Sequence, residues 1–292
     1  MKGAGLGAAL IVIYTGMMAG ADGITKLIAG GYAAPQLFAL SAFIVVGLSL
    51  IAARRGRAAT GLRLRSVRAM WVRSVLTVVA SVAFFQAFRL LPFADVFLFI
   101  GLIPLIAAAL SGPVLGESPR PMAWAALSLG ACGVFFLMPG GLGAVEIGHL
   151  WALLAALTGT GSMLGARLIA RVERVPLAQV FWPNLALMCS MGLALPFVWQ
   201  PMTATDLGWV LAYSAFLFAA RYVVAEALRL LPAYVATPLM NLQFVWMVGI
   251  GFIAFGEVPA MTTLLGVALV ISSGLWLVLE ERLARPNVIP AE

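Results

Sequence analysis

The sequence predicts an all-α integral membrane protein of ten transmembrane helices, built as two inverted five-helix repeats, and three observations support this fold class. The chain of 292 residues is 63% hydrophobic and 10% charged, whereas soluble domains carry about 45–50% apolar and about 25% charged residues. Apolar runs recur along the whole chain, and about 20 such residues are needed to cross a bilayer. Short motifs also recur at a nearly constant offset, which indicates a duplication.

Ten apolar segments separated by short turns with Gly and Pro are the predicted transmembrane helices. They cover residues 6–29, 33–53, 70–90, 93–115, 121–138, 149–171, 178–199, 207–228, 233–255 and 260–279. The first segment is longer than the apolar part of a cleaved signal peptide. We therefore expect it to remain in the protein as the first helix.

The positive charges predict the orientation of the chain. Seven arginines lie together between two apolar runs: Arg54, Arg55, Arg57, Arg63, Arg65, Arg68 and Arg73. Cytoplasmic loops carry an excess of Arg and Lys, so we expect this loop, and by alternation both termini, to be cytoplasmic. The net charge of +7 is then a feature of topology and of contact with lipid head groups, and not of nucleic-acid binding.

An internal repeat divides the chain into residues 1–140 and 141–292. Three landmarks recur at an offset of about 140 residues: residues 89–92 at 229–232, residues 116–119 at 256–259, and residues 26–29 at 167–170. Each half holds five predicted helices. Because five is odd, the second half must enter the membrane from the opposite side, an arrangement that typically places a substrate site near the midplane and supports alternating access.

The repeat landmarks resemble those of the EamA-type members of the drug/metabolite transporter superfamily. The resemblance covers nearly the whole chain and depends on four motifs: Asp22-x-x-x-Lys26, residues 87–92 with Asp95, Gly116-Glu117, and residues 227–232 through 256–259. It implies ten helices in the bacterial inner membrane, as a monomer or homodimer. It also implies a carrier of amino acids or related metabolites such as S-adenosylmethionine.

Charged residues within the predicted helices are the first candidates for a binding site, because an ionisable group at membrane depth is costly and usually faces protein or a water-filled cavity. Asp22 and Lys26 share one face of helix 1, where they either recognise a zwitterion, exchange a proton or form a structural ion pair. Arg221 lies deep in helix 8 and either binds a substrate carboxylate or is stabilised by protein groups.

Further candidates lie on the helices that follow. The polar and aromatic substrate-binding candidates are Tyr222, Thr237, Asn241, Gln243 and Trp246. Pro238 and Pro104 remove backbone donors and can open a helix toward a cavity. Phe85 and Phe88 are candidates for gates or cavity walls, although aromatic residues in membrane helices also serve as packing or lipid-facing bulk.

Other functional classes find less support in the sequence. An enzyme would need a nucleophile beside a base, but Ser162 lies about 20 Å from the single histidine, His149, along a helix that rises 1.5 Å per residue. The two cysteines and one histidine favour neither a metal site nor a cofactor. A channel or a membrane scaffold is the alternative to a carrier, and the expected partners are a small-molecule substrate, lipid and protons.

Overall fold

The chain folds into helices, which a computed structural model describes for residues 2–54, 61–116, 146–173, 175–230, 239–240 and 242–258 and for isolated positions beyond them. The described residues contain no strand. The helices, in chain order, are α1 (Lys2–Ala29), α2 (Ala34–Arg54), α3 (Val67–Leu90), α4 (Phe93–Gly101), α5 (Ile103–Leu115), α6 (Ile147–Val172), α7 (Pro176–Val198), α8 (Ala204–Leu230) and α9 (Gln243–Phe255).

Five of these helices, α1, α2, α3, α6 and α7, are long and apolar enough to cross a membrane. Many large apolar side chains on them are exposed, including Phe43, Trp71 and Leu193. Exposed apolar surface of this extent is typical of a protein that interacts with lipid or with other proteins. Together with the composition, these helices indicate a membrane protein.

Three antiparallel helix pairs form the centre of the fold, and the contacts at their ends establish their directions. The beginning of α3 lies beside Glu173, which follows α6, and Leu91 at the end of α3 lies beside Gly148 at the beginning of α6. The hydroxyl of Tyr32, after α1, donates to Asp206 at the beginning of α8 over 2.6 Å. Helices α2 and α7 pair in the same way, as the next contact shows.

Gln36, near the beginning of α2, forms two hydrogen bonds with Gln200, which follows α7. The contacts therefore divide the helix bundle into two ends. The Lys26 end contains residues 26–36, 91–93, 146–149, 199–206 and 256–257. The Arg65 end contains residues 61–66, 115–116 and 171–175, where Arg171 donates to the carbonyl of Leu115 and Trp182 to that of Leu62.

The helix predicted over residues 93–115 is two helices, which corrects the sequence-based span. Helix α4 ends at Gly101, Leu102 forms a turn, and α5 begins at Ile103. Pro104 is the second residue of α5 and has no backbone N–H to donate to the preceding turn. The sequence predicted that Pro104 could open the helix, and the break lies directly before it.

The predicted helices over 121–138 and 260–279 lie almost entirely outside the described residues, apart from a few isolated helical positions. The predicted helix over 233–255 is described as α9 and as residues 239–240, with a turn at Leu242. The other predicted spans coincide with α1, α2, α3, α6, α7 and α8 to within a few residues.

Gly148 is the point of closest approach between α6 and the α3–α4 turn. A Cβ atom there would lie 2.6 Å from Cγ of Leu91 and 3.1 Å from Cβ of Leu90. Leu91 is 4% exposed and has little space to move. We predict that Gly148→Ala destabilises the protein by about 1–3 kcal/mol through overpacking, measured as a lower unfolding temperature in detergent.

Gly47→Ala is the matched control, since a Cβ atom in that position of α2 meets nothing within 4 Å. Ala is the better helix former by about 0.5–1 kcal/mol, so the control should be neutral or slightly more stable. Equal unfolding temperatures for the two variants would show that the approach at Gly148 is not restrictive.

Glu173 ties α6 to the beginning of α3 at the Arg65 end. Its carboxylate accepts the backbone N–H groups of Arg65 and Ser66, each over 2.9 Å. Acceptors of this kind satisfy free N–H groups at a helix N-terminus. These two backbone hydrogen bonds lower the pKa of Glu173 below its usual value.

The lowered pKa of Glu173 predicts a pH dependence of stability. A carboxylate whose pKa is lower in the folded protein stabilises it above the ordinary pKa, and this contribution disappears as the pH falls through the folded-state value. On acidification from pH 6 to pH 3, we expect the unfolding temperature of the wild type to fall more steeply than that of Glu173→Gln. Parallel curves for the two proteins would contradict this assignment.

Candidate functional site

Lys26, at the end of α1, forms an ion pair with Glu257, which follows α9. The Nζ–Oε1 distance is 2.5 Å, and the two side chains are 14% and 26% exposed. Lys26 also donates to the carbonyl of Leu91 over 3.3 Å, and Glu257 Oε2 accepts the backbone N–H of Phe93 over 3.0 Å. One ion pair thus joins α1, the α3–α4 turn and the end of α9.

Aromatic rings and a left-handed glycine hold this ion pair in position. Nζ of Lys26 lies 5.6 Å from the ring centroid of Phe93 and 5.3 Å from that of Phe255, which adds a cation–π attraction. Gly256 ends α9 with φ 65° and ψ 18°, a conformation that glycine adopts without steric cost. The chain reverses there, and Glu257 returns toward α1.

The structure rules out one of the alternatives for Asp22 and Lys26, a structural ion pair between the two. Lys26 pairs with Glu257, and Asp22 Oδ2 instead accepts a hydrogen bond from Gln243 Nε2 over 2.8 Å. The four-residue spacing does place both on one helix face, but Asp22 lies about 6 Å deeper. Two different elements, α9 and the segment after it, provide the partners.

Arg221 in α8 lies on the other side of this polar region. It is close enough to the hydroxyls of Tyr14 and Tyr213 to interact with them electrostatically, and Asp22 interacts with the same two tyrosines. Asp22 and Arg221 do not form an ion pair, and Asp22 has the uncharged side chain of Gln243 as its hydrogen-bond partner.

The predicted aromatic candidates lie in different places. Trp246 in α9 is 46% exposed, and its ring lies 3.7 Å from where a Cβ of Gly16 would be. Phe88 is buried and packs against Phe93 at 5.4 Å, directly below the Lys26 ion pair. Phe85 is buried among core residues.

Phe85 also lines a cavity of about 230 Å³ between α2, α3 and α7, together with Gln86 and Arg89. Its ring meets that of Phe38 edge to face at 5.8 Å. Neither Asp22 nor Gln243 lines this cavity. Phe85 is therefore a packing residue, and one side of its ring lines a cavity away from those two residues. Phe88 is the predicted aromatic candidate that the structure places next to the ion pair.

Several predicted candidates lie outside the described part of the chain. These are Thr237, Pro238 and Asn241. The backbones of Tyr222 in α8 and Pro104 in α5 are described, but their side chains are not. Asp22 and Gln243 are the predicted polar candidates that the structure brings into direct contact.

Arg73 is a second correction, because the sequence grouped it with the loop arginines that orient the chain. It lies inside α3, is 8% exposed, and donates from Nη1 to the carbonyl of Gln179 over 2.6 Å. Arg63, Arg65 and Arg68 are exposed, as the loop assignment requires. Position 73 lies within the predicted span 70–90. The rule that made Arg221 a candidate, an ionisable residue inside a predicted helix, would therefore also have made Arg73 one.

Glu257 and Tyr14 are two further residues that the sequence did not single out for the site. Glu257 served only as a repeat landmark, and no local pattern connects it to Lys26, 231 residues away. Tyr14 is separated from Asp22 by about two turns of α1. In the described part of the chain, no group of three or more His, Cys, Asp or Glu side chains could hold a metal ion.

Comparison with known proteins connects this architecture to a class of protein. No family model matches the chain. A riboflavin transporter of Rhizobium johnstonii is 25% identical over 213 residues, which cover 73% of this chain and 68% of that protein. A solved structure superimposes with a TM-score of 0.67 and 20% identity, over 95% of this chain and 99% of the other, which supports the fold.

The apolar helices and the similarity to a transporter together indicate a membrane transporter of small molecules. A transporter similarity also agrees with the expectation of a non-enzymatic protein.

Proposed function

We propose that the protein is a secondary carrier that moves a small polar metabolite across the bacterial inner membrane by alternating access. The observation that carries the proposal is the hydrogen bond between Asp22 on α1 and Gln243 on α9. Arg221, within the long helix α8, is a further charged group of the same kind. Unneutralised charges at membrane depth are expensive and are retained where they serve a transported ligand or ion. Asp22 is also the candidate for proton binding.

Helix packing supports two inverted repeats of residues 1–140 and 141–292. At the offset of about 140 residues, α1 corresponds to α6, α3 to α8 and α2 to α7. Exchanging the two repeats therefore turns the antiparallel pair α1–α8 into the pair α6–α3. The same exchange turns the pair α2–α7 into itself. Gly116 and Gly256, also equivalent, are both left-handed, with φ of 67° and 65°.

The ion pair between Lys26 and Glu257 supports a closed gate at the Lys26 end. It joins the first repeat to the second one helical turn above Asp22, so an open path from this end to that residue requires the pair to separate. Under the positive-inside rule the Arg65 end faces the cytoplasm, with both termini there. The Lys26 end then faces outward.

A zwitterionic metabolite, such as an amino acid or S-adenosylmethionine, is the first candidate substrate. Asp22 would bind the ammonium group and Arg221 the carboxylate, and the lack of an ion pair between Asp22 and Arg221 supports that arrangement. Arg provides a planar fork that matches a carboxylate.

Riboflavin is the second candidate, because it is the substrate that the name of the Rhizobium johnstonii relative gives. Trp246, which is 46% exposed and lies on the same helix as Gln243, offers aromatic surface, and flat rings stack well on such side chains. Riboflavin is uncharged, so the two candidates differ in the charges they require.

Counterflow into liposomes that contain the purified protein tests the carrier proposal. Liposomes preloaded with an unlabelled amino acid, S-adenosylmethionine or riboflavin are diluted into trace labelled compound. A carrier gives transient accumulation that saturates with concentration. Flux that is linear in concentration and gives no accumulation would instead support a channel, and no flux of any compound would remove the proposal.

A further inference from the structure

The cavity between α2, α3 and α7 lies in the half of the bundle toward the Lys26 end. Its volume is about 230 Å³, and its lining is apolar apart from Gln86 and Arg89. Neighbouring side chains on α7 are strongly exposed: Leu193, beside the lining residue Ala194, is 78% exposed, and Phe197, three residues beyond Ala194, is 88% exposed. Because α7 is long and apolar enough to cross a membrane, side chains of this kind face lipid. The cavity therefore adjoins the lipid-facing surface of the bundle.

The wall that α3 provides changes from apolar to cationic along the helix. Val82, Phe85, Gln86 and Arg89 line the cavity, and their spacing of three to four residues places them on one face. At 1.5 Å per residue, Val82 lies about 10 Å deeper than Arg89. Arg89 is one residue before the end of α3, whose 24 residues exceed the length needed to cross the hydrocarbon layer. The cavity thus has an apolar interior and a cation at head-group level.

Arg89 has an exposed side chain and forms no ion pair with a described carboxylate. The positive-inside rule concentrates cations on the cytoplasmic side, whereas the Lys26 end is the outward one in the proposed topology. Topology therefore gives no reason for an arginine here. An unpaired cation at the level of the head groups is attracted by anionic lipid, which provides such a reason.

The volume of the cavity favours part of a lipid over a whole solute. Pockets for complete small-molecule ligands usually measure about 300–1,000 Å³, which is more than this cavity offers. A lipid has to insert only part of one acyl chain, since the rest of the molecule stays in the bilayer. Lipid tails are already in apolar surroundings, so close packing rather than the hydrophobic effect stabilises the inserted segment. Selectivity then depends on the head group.

We propose that this cavity is a binding site for a phospholipid with an anionic head group. One acyl chain enters between α2, α3 and α7, and the phosphate accepts hydrogen bonds from the guanidinium group of Arg89. Gln86, three residues deeper on α3, donates from its amide to an ester oxygen at the start of the chain. The bound lipid joins α2 and α3 of the first repeat to α7 of the second. This inference does not depend on the carrier function proposed above.

Lipid binding to the delipidated protein in detergent, measured by native mass spectrometry, tests the head-group contact. Phosphatidylglycerol and phosphatidylcholine with identical acyl chains are the probes. We expect phosphatidylglycerol to bind with a dissociation constant about fivefold lower, as one cationic side chain near an anionic head group implies. Arg89→Gln should remove this preference, whereas Arg68→Gln, at an exposed arginine near the other end of α3, should retain it.

Filling the cavity tests the acyl-chain contact without altering any charge. Ala194→Leu enlarges a side chain of the cavity wall and should raise the dissociation constant of phosphatidylglycerol at least about fivefold, since an overpacked site has no room for the chain. Gly192→Ala is the control on the same helix, because a Cβ atom there meets nothing within 4 Å, and it should bind lipid as the wild type does. Glycerol 3-phosphate, a head group without acyl chains, should not displace the lipid at equal concentration.

Four results would overturn the inference. Equal dissociation constants of the two lipids in the wild type would remove the anionic head group, and an unchanged preference in Arg89→Gln would indicate ordinary boundary lipid. Undiminished binding in a folded Ala194→Leu protein would show that no chain enters the cavity. Displacement of the lipid by glycerol 3-phosphate or by riboflavin at equal concentration would assign the cavity to a soluble ligand. None of these results bears on the carrier proposal, which counterflow tests separately.

Discussion

Asp22→Asn will reduce counterflow at least about tenfold, because the substrate loses a charged hydrogen-bond partner worth about 1.5–3 kcal/mol. The substitution keeps the size of the side chain and leaves an oxygen that can still accept from Gln243 Nε2, now at 2.8 Å. What it removes is the negative charge. Initial rates of counterflow in liposomes, at equal amounts of reconstituted protein, measure the effect.

Asp206→Asn is the matched control for this variant. Asp206 also accepts hydrogen bonds from neutral partners, the hydroxyls of Tyr32 and Thr203, but it lies at the Lys26 end, away from Asp22. It should keep counterflow within about twofold of wild type. Full counterflow in Asp22→Asn combined with loss of uptake driven by a pH gradient would assign Asp22 to proton binding alone.

Glu257→Gln will open the Lys26 end and lower counterflow by about tenfold or more. Removing one partner of a buried ion pair leaves the other charge uncompensated, at about 3–5 kcal/mol when burial is complete. Lys26 and Glu257 are partly exposed, so we expect the loss of their ion pair to cost less than this. Gln can still accept the N–H of Phe93, and the variant therefore tests the charge rather than the hydrogen bond.

Accessibility of a cysteine below the ion pair distinguishes opening from unfolding. In a protein whose Cys132 and Cys189 are replaced by Ser, Ala19→Cys places a thiol in a fully buried position about two turns below Lys26. A membrane-impermeant thiol reagent should label it faster when Glu257→Gln is added. Val258→Ala, at an exposed neighbour, should change neither labelling nor transport, and equal labelling in all three proteins would exclude a gate here.

Helix positions were predictable from the sequence because the bilayer demands long apolar segments. The segments around α1, α2, α3, α6, α7 and α8 are of this kind, and their bounds agree with the prediction to within a few residues. The break between α4 and α5 was harder to predict. Pro104 marks its position, but a proline in a membrane helix can also leave the helix continuous, as Pro183 does in α7.

The partners of the charged residues were less predictable. The i, i+4 spacing of Asp22 and Lys26 placed them on one face and left their partners open, and the structure rules out an ion pair between them. Gln243 lies in α9 and Glu257 just after it, more than 200 residues later in the chain than their partners. A spacing rule finds only neighbours on one helix, so it could not identify either residue as a partner. Arg73 was misassigned because its distance in sequence from the loop arginines is short, although α3 carries it into the interior.

By itself, the sequence determined that the chain enters lipid, where its helices lie, and which ionisable residues lie within them, since all three depend on local composition and on the fixed rise of a helix. The tertiary structure alone decided that Lys26 binds Glu257, that Asp22 binds Gln243, and that Arg73 is buried and binds the carbonyl of Gln179. Those pairings depend on which helix faces meet. That is a property of packing among distant segments, and no local pattern specifies it.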